Sequence, residues 1–275
     1  MTRGRATFFV AAGVLAIPAV CLFPFLWMGL SSLKSARELY AVPPTWLPHA
    51  PTLENYRTVL FESNVPRYFL NSVIISLGST GLALGLAIFA SYGFARFEFA
   101  GKRASQAFVL AAQLLPTSAI IVPLFITLRV LGLVNTYLGL ILVYMILTLP
   151  LSVWMLTSYF RAIPVELEEA AIIDGASRAA VLFRVTLPLS LPGLVAVVVY
   201  AFVTTWNEFI FALVFAQDSR VKTLPIGIAE FTGEFNTDWG AVMAASLVMT
   251  LPIVLLFFGM QRLFVGGLTA GAIKG

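Results

Sequence analysis

Carboxylates are the one chemically versatile residue type that this chain groups together: Glu166, Glu168, Glu169 and Asp174 fall in a single charged stretch between long apolar runs. Such groups could do acid–base chemistry, bind a metal, or hold a partner protein by charge and hydrogen bonding. A thiolate or imidazole metal centre, or a nucleophile with its base, would need other residue types as well. The chain has one histidine, His49, and one cysteine, Cys21, the latter inside an apolar run. Neither a metal centre nor a Cys–His pair can be built from that stock, and no disulfide framework is available. No catalytic or metal-ligating residue is assigned, and His49 reads as an ordinary loop residue. What remains for the acids is mechanical: passing a push to something outside the chain.

The local physics of this stretch predicts its shape. Arg161-Ala-Ile-Pro164 ends an apolar run, and Pro164 suits the first turn of a new helix, where its missing N–H is no loss. Glu166, Glu168 and Glu169 then meet the positive end of the helix dipole, worth about 0.3–1 kcal/mol each. The helix should run through Ala170-Ala171-Ile172-Ile173 and break near Asp174-Gly175. Ser177 is placed to cap a second short helix reaching Val185, and Pro188 and Pro192 close the element. A helix lying on lipid carries a basic polar face. This one opens on glutamates that anionic headgroups repel, so a protein partner fits better.

The elements that must position this stretch are membrane spans. Apolar residues make up 60% of the 275, mean hydropathy is +0.95, and charged residues are 11%, against about 25% in soluble domains. Runs long enough for a ~30 Å hydrocarbon core lie near Phe8–Leu30, Phe69–Phe94, Ala104–Leu128, Leu138–Phe160, Leu194–Phe215 and Trp239–Gln261. The first exceeds the apolar length of a cleaved signal peptide and lacks a clear small-x-small site, so it reads as an uncleaved helix. The expected fold is all-α and integral to the membrane, with six transmembrane helices. Its parts are residues 1–68 (first helix plus extracytoplasmic loop), 69–262 (core of five helices with a cytoplasmic loop at 161–193) and 263–275 (cytoplasmic tail).

Basic residues orient the spans. With the N-terminus inside, Arg3, Arg5, Arg96, Lys102, Arg103, Arg161, Arg178, Arg184, Arg262 and Lys274 are cytoplasmic; Lys34, Arg37, Arg57, Arg67, Arg129, Arg220 and Lys222 are outside. The short 95–103 turn, with three of the inner set, decides it, because long loops weigh less in the rule. Both termini are therefore expected in the cytoplasm. The net charge of +4 forms no stripe on a soluble face, which excludes a nucleic-acid partner. The loop at 31–68, with five prolines, Trp46, Tyr40 and Tyr56, suits an ordered surface that meets a soluble protein.

Inside the spans Glu208 is the only acid. At a cost of about 2.5–3.5 kcal/mol on insertion scales it should face the bundle interior or water. With Trp206 and Asn207 it could line a path for sugars, since aromatic faces pack on sugar rings and amides bond hydroxyls; a structural hydrogen bond between helices is the competing reading. Asn71, near the end of the second span, is similarly ambiguous. Gln113, Pro116, Thr117, Ser118 and Pro123 interrupt the third span, but proline is tolerated in membrane helices, and a continuous span is expected.

Glu169-Ala170-Ala171, then Gly175, then Val185-x-Leu187-Pro188 resembles the EAA motif of membrane subunits in binding-protein-dependent ABC importers. Val185 stands where isoleucine is usual. Pro43-Pro44-x-Trp46, Thr52-Leu-Glu-Asn55-Tyr56, Asn71-Ser72, Trp206-Asn207 and the tail Gly267–Gly275 extend the likeness over essentially the whole chain, to the smaller membrane subunit of the maltose importer and its carbohydrate-uptake relatives. The resemblance implies a MetI-like ABC permease fold in a bacterial inner membrane. It also implies a coupling helix seated in a cleft of an ATPase subunit, with Glu169, Ala170, Ala171, Asp174 and Gly175 as docking residues and Leu187 and Pro188 shaping the return. Implied partners are two ATPase subunits, a second related permease subunit and an extracytoplasmic sugar-binding protein. The chain has no Gly-x-x-x-x-Gly-Lys-Ser/Thr loop to cradle phosphates, so it is not expected to be an enzyme or to hold a cofactor. ATP and Mg belong to the partner ATPases. A secondary transporter or channel for small polar solutes is the alternative, weakened by the single intramembrane acid.

Overall fold

The computed structural model describes residues 3–233 and 236–272. In hydrocarbon a backbone can satisfy its own N–H and C=O groups only as a helix or a closed barrel, and the uncharged runs become helices. In chain order these are α1 (Arg3–Ser32), α2 (Ala36–Leu39), α3 (Glu54–Phe61), α4 (Val65–Arg96), α5 (Lys102–Ala111, extended by a tight turn over Ala112–Leu114), α6 (Thr117–Val130) and α7 (Tyr137–Ala162). Then follow α8 (Val165–Ile173), α9 (Arg178–Val181), a π-helical turn over Leu182–Thr186, α10 (Leu187–Leu189), α11 (Leu191–Trp206), α12 (Ile210–Phe215), α13 (Leu224–Ala229) and α14 (Trp239–Ala272). The end of the expected tail, residues 273–275, lies outside the described residues.

Among the described residues Val65–Arg96, Tyr137–Ala162 and Trp239–Gln261 are long and apolar enough to cross a membrane. Two bent pairs raise the number to five if each is one span. The expected first span lies in α1, whose stretch Ala16–Ser32 is apolar but shorter than the others. Two expected continuous spans are broken. Residues 102–114 and 117–130 meet at 100°, because Pro116 has no N–H to continue the ladder and holds Leu115 extended (φ −69°, ψ 126°). The expected Leu194–Phe215 helix stops at Trp206 and restarts at Ile210. There Glu208 accepts from the N–H of Phe211 (2.9 Å) and Ala212 (3.1 Å), so its carboxylate replaces the turn that would have continued the helix.

Two compact units emerge: Met1–Arg67 with Ile226–Leu251, and Tyr68–Pro225 with Pro252–Gly275. In the first, the loop after α1 is tied down by polar contacts, some of them partly buried. Lys34, 2% exposed, donates to Thr45 O (2.5 Å) and sits 4.7 Å from the Trp27 ring. Glu38 accepts from Thr45 Oγ1 and His49 N and pairs with His49 Nδ1 at 2.8 Å. Asn55 donates to Ser32 O and Lys34 O. His49 is thus a tie within the loop.

In the second unit α4 turns small buried residues inward: Ser72, Ser76, Ser79, Ala83, Ala87 and Ser91. Small side chains let helix backbones approach closely in lipid, and Ser91 Oγ donates across to Val153 O at 2.9 Å. Ala87, Tyr92, Val153, Leu156, Phe160, Leu182 and Val197 form one buried cluster, which carries the charged segment at its edge through Leu182. The start of α11 lies flat on α7: a Cβ added at Gly193 would stand 2.4 Å from Tyr159 Cγ.

Gly193→Val should therefore force the Tyr159 ring and the helix apart and lower stability by roughly 1–3 kcal/mol. The check is the thermal unfolding temperature in detergent; an unchanged value would mean that the ring swings aside freely.

Candidate functional site

The charged segment folds as its sequence suggests. Pro164 (φ −55°, ψ 130°) precedes α8, and Glu166 and Glu168 occupy the first turn. At the other end Gly175 takes φ +88°, a left-handed conformation that favours glycine. Gly175 N donates to Ile172 O and Ala176 N to Ala171 O, each at 2.9 Å, the paired closure of a Schellman motif. Ser177 Oγ accepts from Ala180 N at 3.2 Å and opens α9. The second helix is less regular than expected, running through the π-helical turn Leu182–Thr186 before α10.

The glutamates separate by direction. Glu166 and Glu169 are exposed. Glu168 is 1% exposed and ion-paired with Arg96, Nε to Oε1 at 2.9 Å. Thr186 Oγ1 donates to the same oxygen (2.7 Å) and Tyr92 OH to Oε2 (3.1 Å). Arg96 Nη2 also donates to Ile163 O at 3.1 Å, at the junction of α7 and α8. This network was not anticipated from the sequence. The signal available was helical phase: Glu168 shares a face with Ala171 and Ile172, and Tyr92 and Arg96 are one turn apart on α4.

The opposite face of the segment is open. Glu169, Ala170, Ile173, Asp174 and Gly175 are exposed, Ile173 by 85%, while Ala171 is half-buried. Leu187 packs on the buried cluster and Pro188 is exposed. The result is a small, acid-edged, partly apolar knob.

The other four candidates do not form one site. Trp206 is 1% exposed, stacked on Phe202 and edge-on to Phe69, both at 5.6 Å, which leaves no ring face open. Asn71 is buried with its amide fully used: it donates to Arg220 O and Lys222 O and accepts from Tyr137 OH. Asn207 is exposed and donates to Val203 O. Glu208, half-buried, caps α12.

The sequence profile of the family described as "binding-protein-dependent transport system inner membrane component" matches residues 81–269. The chain belongs to this family. Among the permease's relatives, a sulfoquinovosyl glycerol transport system permease protein of Agrobacterium fabrum is 39% identical over 272 residues, covering 99% of this chain and 95% of that one. A trehalose/maltose transport system permease protein of Thermococcus litoralis is 41% identical over 271 residues, covering 96% and 95%. A bacterial ABC transporter that imports alginate superposes with a TM-score of 0.83 at 20% identity, covering 96% of this chain and 99% of that one. The permease is a multi-pass membrane protein with the MetI-like fold.

Asn71→Ala in this permease should cost roughly 1–3 kcal/mol, since Arg220 O and Lys222 O lose their shared donor. Limited trypsin digestion should then cut faster at 216–223. Unaltered cleavage would show that the loop is held by other contacts.

Proposed function

We propose that this chain is one membrane half of a sugar importer, driven through the α8–α9 knob by a separate ATPase. The observation that carries the reading is the division of α8 into an inward face anchored by Glu168 and an outward face of Glu169, Ala170, Ile173, Asp174 and Gly175. An exposed isoleucine beside glutamates suits a cleft on a protein. In this reading two ATPase subunits bind ATP and Mg, a second, related permease subunit completes the path, and an extracytoplasmic binding protein delivers the cargo. The names of the relatives, which concern sulfoquinovosyl glycerol and trehalose or maltose, support a sugar or sugar conjugate.

The orientation follows from charge. Lys102, Arg103 and Arg161 line one pocket where α5 meets α7, and Arg96 binds Ile163 O at the entry to the knob; by the positive-inside rule this side is cytoplasmic, and with six spans both termini would lie there too. Of the four path candidates, Asn207 and Glu208, at the break between α11 and α12, are the ones with surface to offer a hydroxyl-rich solute. Trp206 and Asn71 hold that region in shape.

Glu169→Lys should leave the chain in the membrane yet abolish uptake, and the ATPase should no longer copurify. Sugar uptake at the wild-type rate in that variant would overturn the coupling role of the knob.

A further inference from the structure

From the geometry we infer that Glu168 and Arg96 form the joint through which movement of α8 is delivered to α4. This rests on the coupling role proposed above and adds its internal receiver. Glu168 is the inward-facing carboxylate of α8, and its two oxygens collect three donors from two other elements: Arg96 Nε and Tyr92 OH from α4, and Thr186 Oγ1 from the π-helical turn. Arg96 also grips Ile163 O, so one guanidinium holds both α8 and the chain entering it. The Arg96 and Glu168 side chains are 5% and 1% exposed.

Two physical points make this a joint rather than a mere filler. Apolar contacts, such as those of Leu182 with the cluster, are non-directional and let surfaces slide. Charge-assisted hydrogen bonds fix direction and are strengthened where water is excluded. Moreover, a buried ion pair is weak evidence for stability, because well-packed apolar residues often do as well. Its presence in this position fits register between two elements that must move together. The π-helical turn is part of the joint, since its Thr186 bonds the same carboxylate, and π-bulges recur at functional sites. α8, α4 and the return through Leu182–Thr186 are thereby tied at one carboxylate.

The test uses the assembled importer with its ATPase and binding protein in proteoliposomes. Glu168→Gln keeps the shape and removes the charge. The ATPase should still copurify and hydrolyse ATP, but sugar moved per ATP should fall roughly tenfold, within the range of typical coupling energies. Spin labels at exposed Glu166 on α8 and exposed Ala90 on α4 should keep one separation through the nucleotide cycle in the parent protein and change it in Glu168→Gln. The exchange Glu168→Arg with Arg96→Glu should restore part of the yield. If Glu168→Gln does not assemble, Tyr92→Phe, which deletes one bond and leaves the ion pair, must show the same loss in smaller measure. An unchanged sugar-to-ATP ratio in Glu168→Gln, or in Tyr92→Phe where that variant is the one measured, overturns the joint. So does a label separation that varies in the parent protein. These results are distinct from failure of the coupling reading itself, which would appear as normal uptake in Glu169→Lys.

Discussion

Inside a bilayer no water is at hand, so every polar group must be satisfied by the protein. Several features of this fold answer to that constraint. The hydroxyls of Ser79, Thr148, Ser152, Thr157 and Thr205 bond back to carbonyls on their own helices. Asn71 spends its whole amide on a loop and a tyrosine. Glu208 takes two backbone N–H groups, and the helix breaks around it. Outside the spans, where it is protein packing that excludes water, Glu168, the most deeply buried acid described, likewise gathers a guanidinium and two hydroxyls. Along α4 and α7 the inward faces carry small residues and several hydroxyls that bond within their own helix, so both continue unbroken over Val65–Arg96 and Tyr137–Ala162.

How much of this was legible in the sequence depends on whether a feature is local. Gly175 and Ser177 act within one turn of chain, and their expected roles match the end of α8 and the cap of α9; Pro164 marks the start of α8 but stands one residue before its first turn, as the cap residue. Long apolar runs marked α4, α7 and α14 well. Breaks were harder, because a hydropathy window measures composition and ignores direction. Pro116 was visible, but whether it kinks or ends a helix depends on what receives the freed groups. Glu208 reads as a charge to be hidden, whereas the backbone N–H groups that hide it belong to the next helix.

Neighbouring glutamates show the limit most clearly. Glu168 and Glu169 are the same residue type side by side, yet about 100° apart around the helix axis. One is locked beneath the knob and the other stands free on it. Fixing that phase requires knowing where α4 lies, and the pairing of Arg96 with Glu168 spans a separation in sequence of 72 residues. Without an external reference for rotation, the acids could be read only as a group. The structure splits the group into an anchor and a contact surface.

The Schellman turn at Gly175 has an entropic consequence. Each residue fixed on folding costs about 1–2 kcal/mol of backbone freedom, and a flexible segment would meet that cost anew at every encounter with a partner. Here the turn is closed by its own hydrogen bonds and a glycine already in the left-handed region. The knob is therefore preorganised before anything touches it. Association and rearrangement during a transport cycle can then proceed without refolding the surface that is gripped, and binding energy is left for moving helices.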